Sequence, residues 1–167
     1  MKSKSTKFLI RLSLVSVFSA ASFVLTSLVI PYGSGGYFNF GDVISILVSL
    51  FVGPMEGALV GIIGGAFSDL FLGFINYLPF TILAKALLNL IAGYGYYFFK
   101  NNGIKYIFPF IGAIFMALSY IYPNYLIYEN TWYIYSSFDV IQGVFASIIA
   151  IILNELLIKS KAKKYLE

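Results

Sequence analysis

Three polar residues spaced four apart, Thr81, Lys85 and Asn89, interrupt a long apolar stretch of the chain. Residues at this spacing lie on one face of an α-helix, so the pattern predicts a face that carries a hydroxyl, an ammonium and an amide. An ionisable side chain inside a membrane is costly unless it is paired or hydrated, and it therefore indicates a functional site. The chemistry that these groups offer is ligand binding through hydrogen bonds and one positive charge.

Carboxylates near the ends of other apolar segments could complete such a site. Asp69 lies one turn before the end of the preceding segment, and we expect it to pair with Lys85, either beside a ligand or as a purely structural ion pair. Asp42 and Asp139 each begin a segment, where a carboxylate either caps the helix or contacts the ligand. The remaining candidates for substrate binding are Asn39, Trp132 and Gln142.

The chain contains no histidine and no cysteine. This composition excludes Ser-His-Asp and Cys-His catalysis, disulfide bonds and thiolate metal sites. The sequence also has no Walker A motif, the glycine-rich loop that binds nucleotide phosphates. We therefore expect a binding protein that holds no cofactor and no metal, and not an enzyme.

The composition places these residues in a membrane protein. Of 167 residues, 60% are hydrophobic and only 11% are charged, whereas soluble domains carry about 25% charged residues. A globule of this size could not bury so much apolar surface, so lipid is its natural solvent. The net charge of +4 comes from dispersed lysines and not from a basic stripe, and we expect no nucleic-acid partner.

Six apolar segments predict one membrane domain, an all-α bundle of six transmembrane helices. We expect these helices at residues 8–30, 42–52, 57–74, 79–99, 104–122 and 140–158. Glycine, proline and asparagine separate them, as at Gly53-Pro54 and Pro123-Asn124.

Two of the segments have alternative interpretations. The second would rise only about 16 Å, so it either begins earlier, near Phe38, or is a half-helix buried against its neighbours. The first resembles a signal peptide with a cleavage site near Ala20, but its apolar run continues to Ile30, which favours a retained helix.

The distribution of positive charge predicts the orientation of the bundle. With six crossings, all cations except Lys85 fall on one side, and cytoplasmic loops carry the excess of lysine and arginine. Both termini are therefore expected in the cytoplasm, with the candidate site open to the outside. The cations concerned are Lys2, Lys4, Lys7, Arg11, Lys100, Lys105, Lys159, Lys161, Lys163 and Lys164.

Small and aromatic residues form two further patterns. The GxxxG steps from Gly57 to Gly65 allow another helix to approach closely, and we expect that helix to lie within the bundle. Ser16 and Ala20 form a similar step in the first segment, where docking of a partner competes with internal packing. Trp132 and the tyrosines between Tyr120 and Tyr135 predict a loop that covers a flat ligand ring, although part of them would form an aromatic belt.

Several stretches together resemble the substrate-binding S components of energy-coupling factor (ECF) vitamin transporters. The resemblance spans roughly residues 8–160 and is strongest over residues 31–93. Within the family, the chain looks most like the branch assigned to riboflavin, hydroxymethylpyrimidine and pyridoxine-type substrates. The stretches are GGYFNFGD at 35–42, FVGP at 51–54, GALVG at 57–61, Ser68-Asp69 and PFT at 79–81, with Lys85 following.

The resemblance implies a subunit in the plasma membrane of a prokaryote that captures a small aromatic vitamin or precursor. Hydroxymethylpyrimidine or pyridoxine is favoured, and riboflavin comes next. A transmembrane coupling protein and two ATPase subunits would power uptake. In the family, an Ala-x-x-x-Ala motif on helix one docks the coupling protein. The corresponding residues here are Ser16 and Ala20, which are both small, although Ser16 departs from the motif. The family's glycine-rich gating loop corresponds to Gly33, Gly35 and Gly36.

Two other classes of function remain open at the level of sequence. An autonomous proton-coupled carrier would use Asp69 and Lys85 as a relay, although no inverted repeat is visible. An intramembrane enzyme acting on lipid is the weaker alternative, because the carboxylates are scattered and no nucleophile–base pair is present.

Overall fold

The computed structural model describes residues 4–28, 30–32, 36–99 and 103–160, and nearly all of them are helical. The all-α prediction is confirmed except for one short hairpin, in which strands β1 (Ile30–Tyr32) and β2 (Gly36–Phe38) pair antiparallel. The helices are α1 (Lys4–Ser27), α2 (Gly41–Phe51), α3 (Pro54–Leu72), α4 (Leu78–Phe98), α5 (Phe108–Tyr128) and α6 (Trp132–Lys159). Short 3-10 turns at Ile75–Tyr77, Ile104–Ile107 and Glu129–Thr131 connect the last four helices.

Four continuous helical stretches are long and apolar enough to cross a membrane. They are Ser5–Ser27, Pro54–Leu72, Ile75–Phe98 and Ile104–Lys159, and the last contains both α5 and α6. The described chain is therefore that of a multi-pass membrane protein.

Helix α2 lies inside the bundle. It packs against α1, α3, α4 and α6, and all but two of its 11 residues are buried. At about 1.5 Å per residue it rises only about 16 Å, too little to cross a membrane by itself. It begins at Gly41 and not near Phe38, so of the two interpretations of this segment, the buried half-helix is the one observed.

Helices α5 and α6 are longer than predicted. We expected Pro123 to end the fifth helix and the sixth to begin at residue 140, but α5 continues through Pro123 to Tyr128. Proline is tolerated inside a membrane helix when packed neighbours compensate for its lost hydrogen bond, and Pro123 is fully buried. The aromatic residues predicted to form a loop therefore lie on a helical hairpin that turns at Glu129–Thr131.

The glycines of α3 bring its neighbours close, as predicted. A Cβ atom on Gly65 would lie 2.9 Å from the Thr81 side chain, and one on Gly61 would lie 2.6 Å from Asn89 Nδ2. A Cβ atom on Gly64 would meet Ser22 of α1 at 2.6 Å. Substitution of these glycines would push α3 away from α1 and from the polar face of α4.

The two ends of the bundle differ in charge. Because short connections make successive helices antiparallel, α1, α3 and α5 end where α2, α4 and α6 begin, and we call this the site end. Among the described cations, only Lys85 of α4 belongs to the half of the bundle nearer the site end. The opposite, lysine-rich end carries Lys7, Arg11, Lys105 and Lys159, and Arg11 pairs there with Glu56 at 2.7 Å.

Candidate functional site

A buried ion pair lies at the centre of the site end. Lys85 Nζ lies 2.5 Å from Asp42 Oδ1, and the two side chains are only 3% and 2% exposed. Lys85 lies two turns into α4, and Asp42 lies in the first turn of the half-helix α2. We expected Asp69 to be the carboxylate beside Lys85; the ion pair in the structure is instead formed with Asp42, because α2 lies between α4 and α6.

Gln142 extends this pair to α6 and to the segment before α2. Its amide Nε2 donates to Asp42 Oδ2 at 2.8 Å, and its Oε1 accepts the backbone N–H of Asn39 at 2.8 Å. Asn39 Oδ1 in turn accepts from the Thr26 hydroxyl of α1 at 2.9 Å. Four helices therefore meet in one network, in which a buried ion pair gains the additional hydrogen bonds that it requires.

A second polar cluster joins α5 and α6. Asn124 Nδ2 donates to Ser136 Oγ at 3.1 Å and to Asp139 Oδ2 at 2.9 Å, while its Oδ1 accepts from the Tyr77 hydroxyl at 2.9 Å. Asn124 was missed as a site residue because the Pro123-Asn124 pair was interpreted as a helix end. Its polarity within an apolar run was the signal that could have identified it.

The predicted polar face of α4 is present and buried. Thr81 accepts from the Tyr120 hydroxyl at 3.1 Å, and Asn89 Nδ2 donates to the Lys85 carbonyl at 2.8 Å. Asn89 Oδ1 is buried and accepts no hydrogen bond. The deepest member of this face therefore keeps an unused acceptor.

The carboxylates of the site end share one electrostatic environment. Asp69 is 4% exposed, and its charge acts on Tyr120, as do the charges of Asp42 and Asp139. Asp139 is also within electrostatic reach of Lys85 and of Asp42. The three predicted aspartates therefore lie in the same half of the bundle around Tyr120, and Asp42 is the one that contacts Lys85.

The structure decides against a capping role for two of these aspartates. The N-cap position of α2 is Phe40, and Asp42 directs its carboxylate to Lys85 and Gln142. Asp139 lies inside α6, seven residues after Trp132, and accepts from Asn124. Both carboxylates therefore belong to interhelical networks.

Trp132 lies apart from the ion pair, at the tip of the helical hairpin. It begins α6 ten residues before Gln142, which corresponds to about 15 Å along the helix axis. A cavity of about 530 Å³ opens beside it. The residues that line this cavity are Tyr125, Leu126, Glu129, Asn130, Trp132 and Tyr133.

The structure describes some of the residues predicted for partner docking and gating. Ser16 and Ala20 lie on an exposed face of α1. The alternative prediction, that they pack against helices inside the bundle, is therefore not observed. Gly36 is the first residue of β2 and pairs with Tyr32. Gly33 and Gly35 lie outside the described residues.

Residues 7–162 match the family model described as ECF-type riboflavin transporter, S component. The chain belongs to this family. The match covers nearly the whole chain, so the S component assignment made from the sequence is confirmed. S components bind substrate and are not enzymes, so the alternative of an intramembrane enzyme is excluded.

A related sequence and a solved structure also match most of the chain. An uncharacterized protein in a gap 3′ region of Pyrococcus woesei is 31% identical over 127 residues, which cover 75% of this chain and 84% of that protein. A solved structure described as the structure and mechanism of the S component of a bacterial ECF transporter is 28% identical. It superposes with a TM-score of 0.72, covering 89% of this chain and 95% of the other.

Proposed function

We propose that this S component captures a small aromatic vitamin or vitamin precursor with high affinity for ATP-driven uptake. Hydroxymethylpyrimidine, pyridoxine and riboflavin are the candidate ligands, and the description of the matching family adds weight to riboflavin. The observation that carries the proposal is the buried network around Lys85 and Asp42. Such a group of polar side chains within an apolar bundle is costly, and this cost supports a role for the network in ligand binding.

The proposed ligand would lie between the two polar clusters, where Thr81, Lys85 and Asn89 face α2, α3 and α5. The aspartates, Asn39 and Gln142 would supply acceptors and orient one another. The aromatic residues at the hairpin tip, Trp132 among them, would stack on the ring of the ligand as it enters.

The proposed orientation places the site end outside the cell membrane of a prokaryote and both termini in the cytoplasm. The chain then crosses six times, with α2 serving as a crossing only because α1, α3, α4 and α6 enclose it. The concentration of described cations at the lysine-rich end supports this orientation.

The proposed partners are a transmembrane coupling protein and two ATPase subunits. The small side chains of Ser16 and Ala20 on the exposed face of α1 would let a partner helix approach closely. No ATP-binding motif occurs in the chain itself, so the energy for uptake would come from those subunits.

Purification of the chain from its native membrane tests the proposal. Mass spectrometry of the extracted ligand should identify one of the three vitamins in an amount near one per protein, and ATPase subunits should copurify under mild detergent. Transport by the isolated chain in vesicles, without ATPase subunits, would contradict the proposal and favour the autonomous carrier.

A further inference from the structure

The cavity at the tip of the helical hairpin is bounded largely by aromatic rings. Three of the residues that line it are Tyr125, Trp132 and Tyr133. The rings of Trp132 and Tyr133 stand at 86° to each other, with their centroids 6.2 Å apart. The cavity volume of about 530 Å³ is within the range that holds a small ligand. The cavity can therefore hold a small group between rings that lie in different planes.

A carboxylate lines the same cavity. Glu129 is among the residues that form it, whereas none of them is a lysine or an arginine. The whole stretch between Lys105 and Lys159, which contains the hairpin, has no positively charged residue. None of the ion pairs in the described part of the chain involves Glu129. The hairpin therefore supplies a negative charge to this cavity and no cation to balance it.

The backbone of Glu129 is strained. Its φ is 39°, and among the described residues it is the only non-glycine residue with a positive φ. Such a conformation costs free energy for a residue with a side chain, and glycine would adopt it more readily. Strained residues of this kind cluster at ligand-binding and switch segments. The turn by itself therefore does not account for a glutamate at this position.

Aromatic rings and a carboxylate together favour a positively charged ligand. The faces of aromatic rings carry partial negative charge, so they attract an ammonium group, and tryptophan attracts it most strongly. Glu129 adds a direct attraction between opposite charges. An alkylammonium group combines apolar carbon atoms, which can contact the rings, with a positive charge for the carboxylate.

We propose that this cavity binds an alkylammonium group. The inference goes beyond the proposed function, in which Trp132 contacts the vitamin only as it enters. The cavity lies about 15 Å along α6 from Gln142, so its occupant does not need to contact the buried network around Lys85. The ammonium group would belong either to the headgroup of a membrane lipid or to a soluble amine.

Fluorescence of the full chain in an uncharged maltoside detergent tests the proposal. Trp132 is the only tryptophan in the chain, so its emission reports on this cavity alone. Choline should change the emission in a saturable manner. The uncharged isostere of choline, in which carbon replaces the nitrogen, should bind at least about 10-fold more weakly, because it lacks the charge that the rings and Glu129 attract. Sodium chloride at the same ionic strength controls for salt.

Two pairs of matched variants assign the charge and the rings. Glu129→Gln should weaken choline binding about 10-fold, whereas Glu155→Gln, which removes the same charge at the lysine-rich end, should not change it. Tyr125→Leu should weaken choline binding at least about 3-fold, because it removes one ring. Tyr94→Leu removes an exposed tyrosine from α4 and should leave choline binding unchanged.

Lipid nanodiscs distinguish the two sources of the ammonium group. One set contains phosphatidylcholine, and the other contains phosphatidylglycerol, whose headgroup has no nitrogen. If a lipid headgroup is the occupant, emission in phosphatidylcholine should match that of the choline-saturated chain, and added choline should not change it further. If a soluble amine is the occupant, choline should change the emission equally in both sets. Glu129→Gln in both sets shows the effect of the lipid environment alone.

Three results would overturn the inference. One is an equal response to choline and to its uncharged isostere, and another is native choline affinity in Glu129→Gln. The third is a parallel fall of vitamin and choline affinity in Glu129→Gln, since the cavity would then belong to the vitamin site. Choline binding by a chain that binds no vitamin would support this inference while the proposed function fails.

Discussion

At the scale of the residue, the site depends on how one lysine is held in an apolar bundle. Lys85 Nζ contacts Asp42 Oδ1, and within the described residues it also lies 3.8 Å from Met116 Sδ, a weak acceptor. Asp42 satisfies both of its oxygens, since Gln142 donates to the second. The pair is therefore stable only as a unit, because either partner alone would be a buried, uncompensated charge.

Lys85→Met should destabilise the protein by about 3–5 kcal/mol, because Asp42 would lose its cation while staying buried. The combined change Lys85→Met with Asp42→Leu should recover most of that loss, since no charge remains, but vitamin affinity should stay low by orders of magnitude. Thermal unfolding and calorimetry on detergent-purified variants measure the two effects separately.

Lys105→Met is the matched control for this prediction. Lys105 lies at the lysine-rich end, partly exposed, with its ammonium 4.8 Å from the ring centres of Tyr96 and Tyr106. Its loss should cost about 1 kcal/mol or less and leave affinity intact. Near-native affinity in a folded Lys85→Met variant would place the ligand elsewhere, closest to Asp139 and Asn124.

At the scale of the element, α1 differs from the other helices in how it is covered. One face, with Ser19 and Ser22, packs against α3, where Ser22 lies beside Gly64. The other face exposes large apolar side chains together with Ser16 and Ala20; these are Phe8, Leu9, Leu12, Val17 and Val24. A helix with two such faces can pack within its own bundle through one face and bind another membrane protein through the other.

Ser16→Trp or Ala20→Trp should abolish ATP-driven uptake while ligand affinity stays near its native value. The indole would keep a partner helix from approaching, yet it would project away from the bundle. Uptake into vesicles that contain the complete transporter and calorimetry on the isolated chain measure the two properties.

Phe115→Trp provides the control for this pair of variants. Phe115 is an exposed residue of α5, so the substitution adds an indole to another lipid-facing surface and should change neither uptake nor affinity. A parallel loss of affinity and uptake in Ala20→Trp would instead show that this face of α1 supports the bundle.

At the scale of the whole molecule, polarity is separated along the bundle axis. The polar networks and most of the carboxylates gather toward the site end, and the described cations other than Lys85 gather at the lysine-rich end. Such a separation orients a membrane protein, because lysine and arginine are retained on the cytoplasmic side.

Single-cysteine labelling tests this orientation without interference, because the native chain contains no cysteine. A membrane-impermeant maleimide added to intact cells should label Ser34→Cys and should label Lys163→Cys only after the cells are opened. The opposite pattern would reverse the proposed topology and place the site end in the cytoplasm.

The sequence by itself determined the features that depend on residues close together in the chain or on overall composition. Helical spacing placed Thr81, Lys85 and Asn89 on one buried face, and the glycine steps of α3 predicted its close packing. Composition alone assigned the chain to the membrane, since the apolar fraction reflects the solvent and not the fold. Family membership followed from short motifs whose residues lie close together in the sequence.

Only the tertiary structure decided which distant residues meet. The choice of Asp42 over Asp69 as the partner of Lys85 depends on the lateral position of α2, which sequence periodicity does not encode. Pro123 stays inside α5 because packed neighbours replace the hydrogen bond that proline cannot make, and this compensation is invisible in a local pattern. For the same reason Asn124 lies inside α5, where it donates to Asp139, and Trp132 lies at the hairpin tip. Local sequence signals determine where a helix ends only when tertiary packing does not outweigh them.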